Sequence, residues 1–209
     1  KKKLGLLPKL IIAIALGIAV GMVAPEKLIA IFATFNGIFN QFLGFIIPLI
    51  IIGFVVPGIA DLGSGAGKTL AITALVAYLS TIIAGSVAYF VDTTAFPSFL
   101  EVGSIVLDNA QNAEETMVAS LFTIEMPAIM GVMSALILSF TLGLGIAVTK
   151  AEGLKGIFNE FQAIISKVIA SIIIPLLPFH VFGIFSNLTY SGTVAEIMSV
   201  FIKVFGIIL

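Results

Sequence analysis

The sequence predicts an all-α integral membrane protein, a polytopic helical bundle of about six transmembrane segments. Three observations lead there. Of 209 residues, 60% are apolar and 10% charged, with a mean hydropathy of +1.25, where a soluble domain carries about 25% charge. No soluble fold of this size hides that much apolar surface. The apolar residues gather in runs of span length, and about 20 residues at a rise of roughly 1.5 Å cross the hydrocarbon. Finally, the lysines outside the runs fall, Lys27 apart, on one side of them, and the long loop on the other side is acidic.

The first run extends from Leu6 to Ala24. Its start, KKKLGLLPK, has the basic head of a secretory signal, but further long apolar runs follow, so it reads as a retained span. Gly17 and Gly21 within it form a G-x-x-x-G, which invites close helix packing. The second run covers Phe42 to Ala60 and the third Thr69 to Val91. A fourth lies within Met117 to Thr149, where Glu125-Met126-Pro127 predicts a break or re-entry. The fifth lies within Ile157 to Phe185, and Pro175 and Pro178 predict a kink or unwinding there. A sixth begins near Val194 and is still apolar at Leu209. With no polar boundary at FIKVFGIIL, the chain is expected to continue, since a helix stopping in lipid strands its carbonyls.

Charge fixes the topology. Lys1, Lys2, Lys3 and Lys9 precede the first run, Lys68 follows the second, and Lys150 and Lys155 separate the fourth from the fifth. If each run crosses once, these lysines share a side. The other side receives Lys27 and a long loop bearing Asp92, Glu101, Asp108, Glu114 and Glu115. The positive-inside rule then places the N-terminus in the cytoplasm of a multi-pass inner or plasma membrane protein.

Several functions are disfavoured by composition. A formal charge of -1 gives no basic face for nucleic acid. With no cysteine there is no disulfide, zinc-thiolate site or thiol nucleophile. The sequence holds no H-E-x-x-H, no G-x-S-x-G and no carboxylates paired at a catalytic spacing, so an enzyme is not expected.

The candidate site residues are hydroxyls inside the third run, AYLSTIIAG: Tyr78, Ser80 and Thr81. Positions 78 and 81 share a helix face, and their oxygens suit a dehydrated hard cation. The alternative is that Ser80 and Thr81 bond back to their own helix while Tyr78 anchors a helix contact. Glu125 reads as a boundary carboxylate solvated by water or a helix start, rather than a functional intramembrane acid. His180, the sole histidine, either titrates near neutral pH or caps loosened backbone beside the prolines. Lys167 snorkels or pairs, and Lys203 faces further chain.

Taken together, these residues resemble the dicarboxylate/amino acid:cation symporters, the family of the bacterial glutamate transporters. FIIPLIIIGFVVPGIADLGSGAGK is similar to the family's "P-L…G-I-x-x-L-G" segment through Pro48, Leu49, Gly58, Ile59, Leu62 and Gly63. AYLSTIIAG is similar to its "Y-x-S-T" helix, ALILSFTLGLGIAV to its inward-running fourth helix, and LLPFHVFGIFSNL to the "P-x-x-x-F" close of its fifth. The likeness spans nearly the whole chain and corresponds to the N-terminal half of the family.

That resemblance implies an elevator-type architecture. Residues 1–68 would form scaffold helices one and two, residues 69–92 the third helix as part of a transport domain, and residues 93–191 scaffold helices four and five with an outer loop. Residues 192–209 would start the sixth helix. It implies a homotrimer and a sodium site using Tyr78, Thr81 and Ser80 with groups from later segments. The substrate-binding residues are expected beyond residue 209. The implied function is Na+- or H+-coupled symport of a small anion, aspartate, glutamate or a C4-dicarboxylate, with no cofactor besides the coupling ion. The alternative is a non-transporting membrane scaffold or assembly subunit.

Overall fold

Backbone groups in lipid must find their partners within their own segment, and the chain meets that demand with helices. The computed structural model describes residues 5–99, 117–195 and 198. Helix α1 runs Leu6–Gly21, α2 Glu26–Ala60, α3 Ala66–Phe99, α4 Val132–Thr149, α5 Glu152–Val168 and α6 Ile174–Tyr190. A single 3-10 turn, Gly63–Gly65, precedes α3, and one wide π turn, Ile169–Ile173, joins α5 to α6. The stretches Glu26–Ala60, Gly67–Val91, Val132–Thr149 and Glu152–Tyr190 are each long and apolar enough to cross a membrane, whereas α1 is apolar but shorter. The expected sixth segment lies almost wholly outside the described residues.

Local chemistry sets the boundaries. The chain turns at Pro25, whose carbonyl accepts from the N–H groups of Leu28 and Ile29. Glu26 then opens α2, where a carboxylate complements the positive end of the helix. Alpha-2 begins well before Phe42, the start expected from hydropathy. Asn36, Asn40 and Gln41 dilute the apolar signal there without breaking the helix. Pro48 and Pro57 lie inside α2 and are fully buried, so the carbonyls they release are sheltered by packing. Alpha-4 ends on Lys150 in the left-handed conformation (φ 55°), a common helix stop. The chain re-enters a helix at Glu152.

The expected break at Glu125-Met126-Pro127 is present: described residues 117–131 form no helix, and α4 starts after Gly131. The expected distortion near Pro175 is also present, displaced toward the N-terminus. A helical proline clashes with the carbonyl four residues back, here that of Ser171. Widening the turn at Ile169–Ile173 relieves that clash.

The described residues divide into two packing units. One comprises residues 5–47, 117–129 and 164–195. Within it α1 packs along α6 through Ala13, Gly17 and Gly21, all buried. A methyl at Gly17 would stand 2.7 Å from the Phe182 carbonyl oxygen, and one at Gly21 would stand 2.6 Å from the Thr189 Cβ. Only glycine allows that backbone approach, as the G-x-x-x-G spacing predicted. Phe32 of α2 meets Phe182 of α6 edge-on at 5.0 Å, a pairing that contributes about 0.5–1.5 kcal/mol beyond area.

The other unit comprises residues 48–99 and 130–163. Ile52, Val56 and Ala60 of α2 pack against Ala135 and Ile146 of α4, flanked by Leu142, Phe158 and Phe161. A methyl at Gly143 would meet the Ile59 Cβ at 2.7 Å, so α2 and α4 also approach closely. Lys155 Nζ lies 2.8 Å from Asp61 Oδ1, tying the start of α5 to the exit of α2. Both side chains are partly or largely solvated, so the pair adds orientation more than stability.

Candidate functional site

Alpha-3 carries the hydroxyls singled out by the sequence. Every residue from Ala71 to Phe90 is exposed, and Tyr78 is 68% accessible. At about 100° per residue, Tyr78 and Thr81 therefore share a face of α3, and Ser80 lies off it. Thr81 Oγ1 donates to the Ala77 carbonyl at 2.9 Å, the back-bond that hydroxyls in apolar helices adopt. Donating that proton leaves the oxygen lone pairs of Thr81 directed away from the helix bond. Tyr78 and Ser80 form no hydrogen bond among the described residues.

A dehydrated hard cation takes about six oxygen ligands, more than this helix face carries. A complete shell needs further carbonyls or carboxylates beside this face.

A second polar cluster was not legible from motifs. In the first unit, Thr34, Asn36, His180, Ser186 and Asn187 are buried among apolar side chains. Asn187 grips the extended segment: its Nδ2 donates to the Val118 carbonyl and its Oδ1 accepts from the Val118 N–H, each at 2.9 Å. Thr34 Oγ1 accepts from the Leu121 N–H at 2.8 Å while donating to the Ala30 carbonyl at 2.7 Å. Gln41 Oε1 lies 3.4 Å from the Met126 nitrogen, a weaker third contact. These three side chains tie the non-helical segment to the helices at Val118 and Leu121 and more weakly at Met126.

Asn36 acts on α6 rather than on the extended segment. Its amide nitrogen donates to the His180 carbonyl at 3.2 Å and contacts His180 Nδ1 at 3.1 Å, while its oxygen accepts from the Ile184 N–H at 2.9 Å. The carboxamide thus spans a carbonyl and an N–H that lie one helical turn apart. A methyl at Gly183 would stand 2.6 Å from it, so glycine opens the slot Asn36 fills. His180 also lies 5.0 Å from the Phe39 ring. The His180 ring thus meets Asn36, which bonds the helix backbone at His180 and Ile184.

The remaining candidates do not converge on either cluster. Glu125 is exposed in the extended segment, in keeping with a solvated carboxylate. Lys167 is exposed on α5, and Lys203 lies outside the described residues. The signal for the missed cluster was in the sequence: Asn36, Gln41 and Asn187 are amides embedded in otherwise apolar helices, each needing a partner.

A family model described as "Sodium:dicarboxylate symporter family" matches residues 6–209. No curated protein and no solved structure matches the chain.

Proposed function

Since the chain belongs to the sodium:dicarboxylate symporter family, a family of cation-coupled membrane transporters, we propose that it forms part of a secondary active transporter for a C4-dicarboxylate or an acidic amino acid, driven by Na+ or H+. The observation that carries this reading is the family match over residues 6–209, which includes α3 and its hydroxyls. In this reading Tyr78 and Thr81 supply oxygens to the coupling cation, and Ser80 lines the other side of the same helix. Oxygens from outside this helix face would complete the ion shell. The protein would sit in the inner or plasma membrane with its N-terminus in the cytoplasm, assembled as a homotrimer. A non-transporting scaffold role gains nothing from the family match.

Electrostatics constrain the coupling. Moving one charge through about 100 mV changes its energy by roughly 2.3 kcal/mol. A doubly charged dicarboxylate entering a negative interior therefore opposes about twice that. At least two monovalent cations must accompany it to cancel the opposition, and any further cation drives accumulation. An acidic amino acid of charge −1 needs one fewer.

The test uses the full-length protein in proteoliposomes with labelled aspartate or succinate. Tyr78→Phe combined with Thr81→Ala is expected to raise the sodium concentration for half-maximal uptake by about tenfold, equivalent to about 1.4 kcal/mol of lost ion binding. Unchanged sodium activation, with uptake intact, removes these residues from the ion site. Single Ser80→Ala is expected to have the smaller effect, because its hydroxyl lies off the Tyr78–Thr81 face.

A further inference from the structure

We propose that His180 and Asn36 form a proton-sensitive latch between α2 and α6, closed while the imidazole is neutral and opened when its Nδ1 takes up a proton. Both residues are buried, each with 8% of its surface accessible, and both belong to the same packing unit. Neither lies on α3, so the latch is independent of the transport reading.

The latch follows from which groups donate and which accept. The Asn36 carboxamide faces three groups of α6. Its nitrogen lies 3.2 Å from the His180 carbonyl oxygen and 3.1 Å from His180 Nδ1, and its oxygen lies 2.9 Å from the Ile184 nitrogen. A backbone N–H only donates and a carbonyl only accepts, so these two backbone groups fix which end of the carboxamide is which. The NH2 end then points its second hydrogen at Nδ1, and Nδ1 must present a lone pair. That assigns the imidazole proton to Nε2. No side-chain nitrogen is buried without a partner among the described residues, so an N–H at Nε2 is accommodated.

Protonation breaks this match. Imidazolium donates from both nitrogens, so the NH2 end of Asn36 would face a second donor. If the carboxamide turns over to accept from Nδ1–H, its oxygen meets the His180 carbonyl oxygen and its NH2 meets the Ile184 N–H. Either orientation sets like groups against each other, and a buried polar group without its partner is costly. There is little room for a third orientation, since a methyl at Gly183 would stand 2.6 Å from the carboxamide. Asn36 must therefore withdraw, and the α2–α6 joint loses the bonds it makes there.

The extra proton finds no other acceptor. Among the described residues Asn36 is the only hydrogen-bond partner of the ring. The titratable groups on the surrounding elements are Lys9 of α1, Glu26 and Lys27 of α2, Glu125 of the extended segment, and Lys167 and Tyr190 on the helical stretch that holds His180. All six are exposed, and none pairs with His180. The Phe39 ring, 5.0 Å away, attracts a cation but does not replace a lone pair aimed at Nδ1–H. Histidine changes charge between about pH 5 and 8. The latch thus contributes at the upper end of that range and is lost as the pH falls through it.

The test is hydrogen exchange of the full-length protein in nanodiscs at pH 8 and pH 5. The reading is the exchange rate at the Ile184 amide divided by that at Ile146 in α4, which cancels the intrinsic effect of pH; α4 itself holds no titratable residue. The wild-type ratio is expected to rise about fivefold from pH 8 to pH 5, the effect of one hydrogen bond lost. His180→Phe keeps a ring without nitrogens and is expected to show the same ratio at both pH values. Asn36→Asp offers the imidazolium an acceptor in place of the NH2 end and is expected to abolish the rise or invert it. A wild-type ratio that does not change with pH, or a fivefold rise that persists in either variant, overturns the proposal.

Discussion

Leucine at both Gly17 and Gly21 is expected to detach α1 from α6 and lower the thermal midpoint by about 5–15 °C. At Gly17 the added carbon meets a backbone carbonyl, that of Phe182, at 2.7 Å; at Gly21 it meets the Thr189 Cβ at 2.6 Å. Neither neighbour can rotate away as a flexible side chain would, so the helices must separate. Overpacking of this kind typically costs about 1–3 kcal/mol per site, and each kcal/mol shifts the midpoint by about 2–4 °C in a chain of this size. Separation also forfeits the dispersion contacts that hold helices together where lipid supplies no hydrophobic drive. Gly44 is the internal control. Nothing lies within 4 Å of a methyl there, so Gly44→Ala should hold or slightly raise the midpoint through helix propensity. Size-exclusion chromatography after heating, on the full-length protein in detergent, reads both. A double variant as stable as wild type contradicts the close approach.

The second large effect is expected at Asn187. Its carboxamide is partnered with both backbone groups of Val118, so Asn187→Leu keeps approximate volume while stranding a donor and an acceptor. A buried polar group left unpaired costs about 1–3 kcal/mol, although measured hydrogen bonds in membrane bundles average nearer 0.6 kcal/mol. For two groups together about 2 kcal/mol is reasonable, equivalent to roughly thirtyfold faster opening. Hydrogen exchange at the Val118 amide should accelerate by that factor, while amides inside α4 stay protected. If Val118 exchanges at the wild-type rate in the variant, Asn187 does not anchor the extended segment.

These two sites differ in how far the sequence revealed them. The Gly17–Gly21 spacing names its own purpose, because two glycines one turn apart in an apolar helix have few uses besides close packing. The partner helix was not legible: α6 is distant in sequence, and only packing shows that Phe182, Ser186 and Thr189 face α1. Asn187 was harder still. Its partner is a backbone N–H and C=O at Val118, and backbone groups carry no sequence signature. The break at Glu125-Met126-Pro127 was visible through Pro127, but what would satisfy the broken backbone was not.

Alpha-2 shows a different limit. Hydropathy sees Phe42–Ala60 because amides at 36, 40 and 41 lower the mean upstream, yet a helix accepts amides wherever another element meets them. Asn36 meets α6 at His180 and Ile184, and Gln41 reaches Met126. The π turn was foreseen as a distortion from Pro175 but not in position, since the strain falls on the turn before the proline. The hydroxyls of α3 were legible as unusual, and their shared face followed from helical period. An ion shell as a whole was not, because a cation site gathers oxygens from separate segments and no single helix carries their signature.

The central claim, cation-driven symport, is tested most directly by uptake into proteoliposomes containing the full-length protein. Labelled aspartate and succinate are offered under an inward sodium gradient, an inward proton gradient, and neither. The account predicts that at least one substrate accumulates above its external concentration under one of the two gradients, and that ionophores which dissipate that gradient release it. Equilibration without accumulation under both gradients, for both substrates, would contradict it.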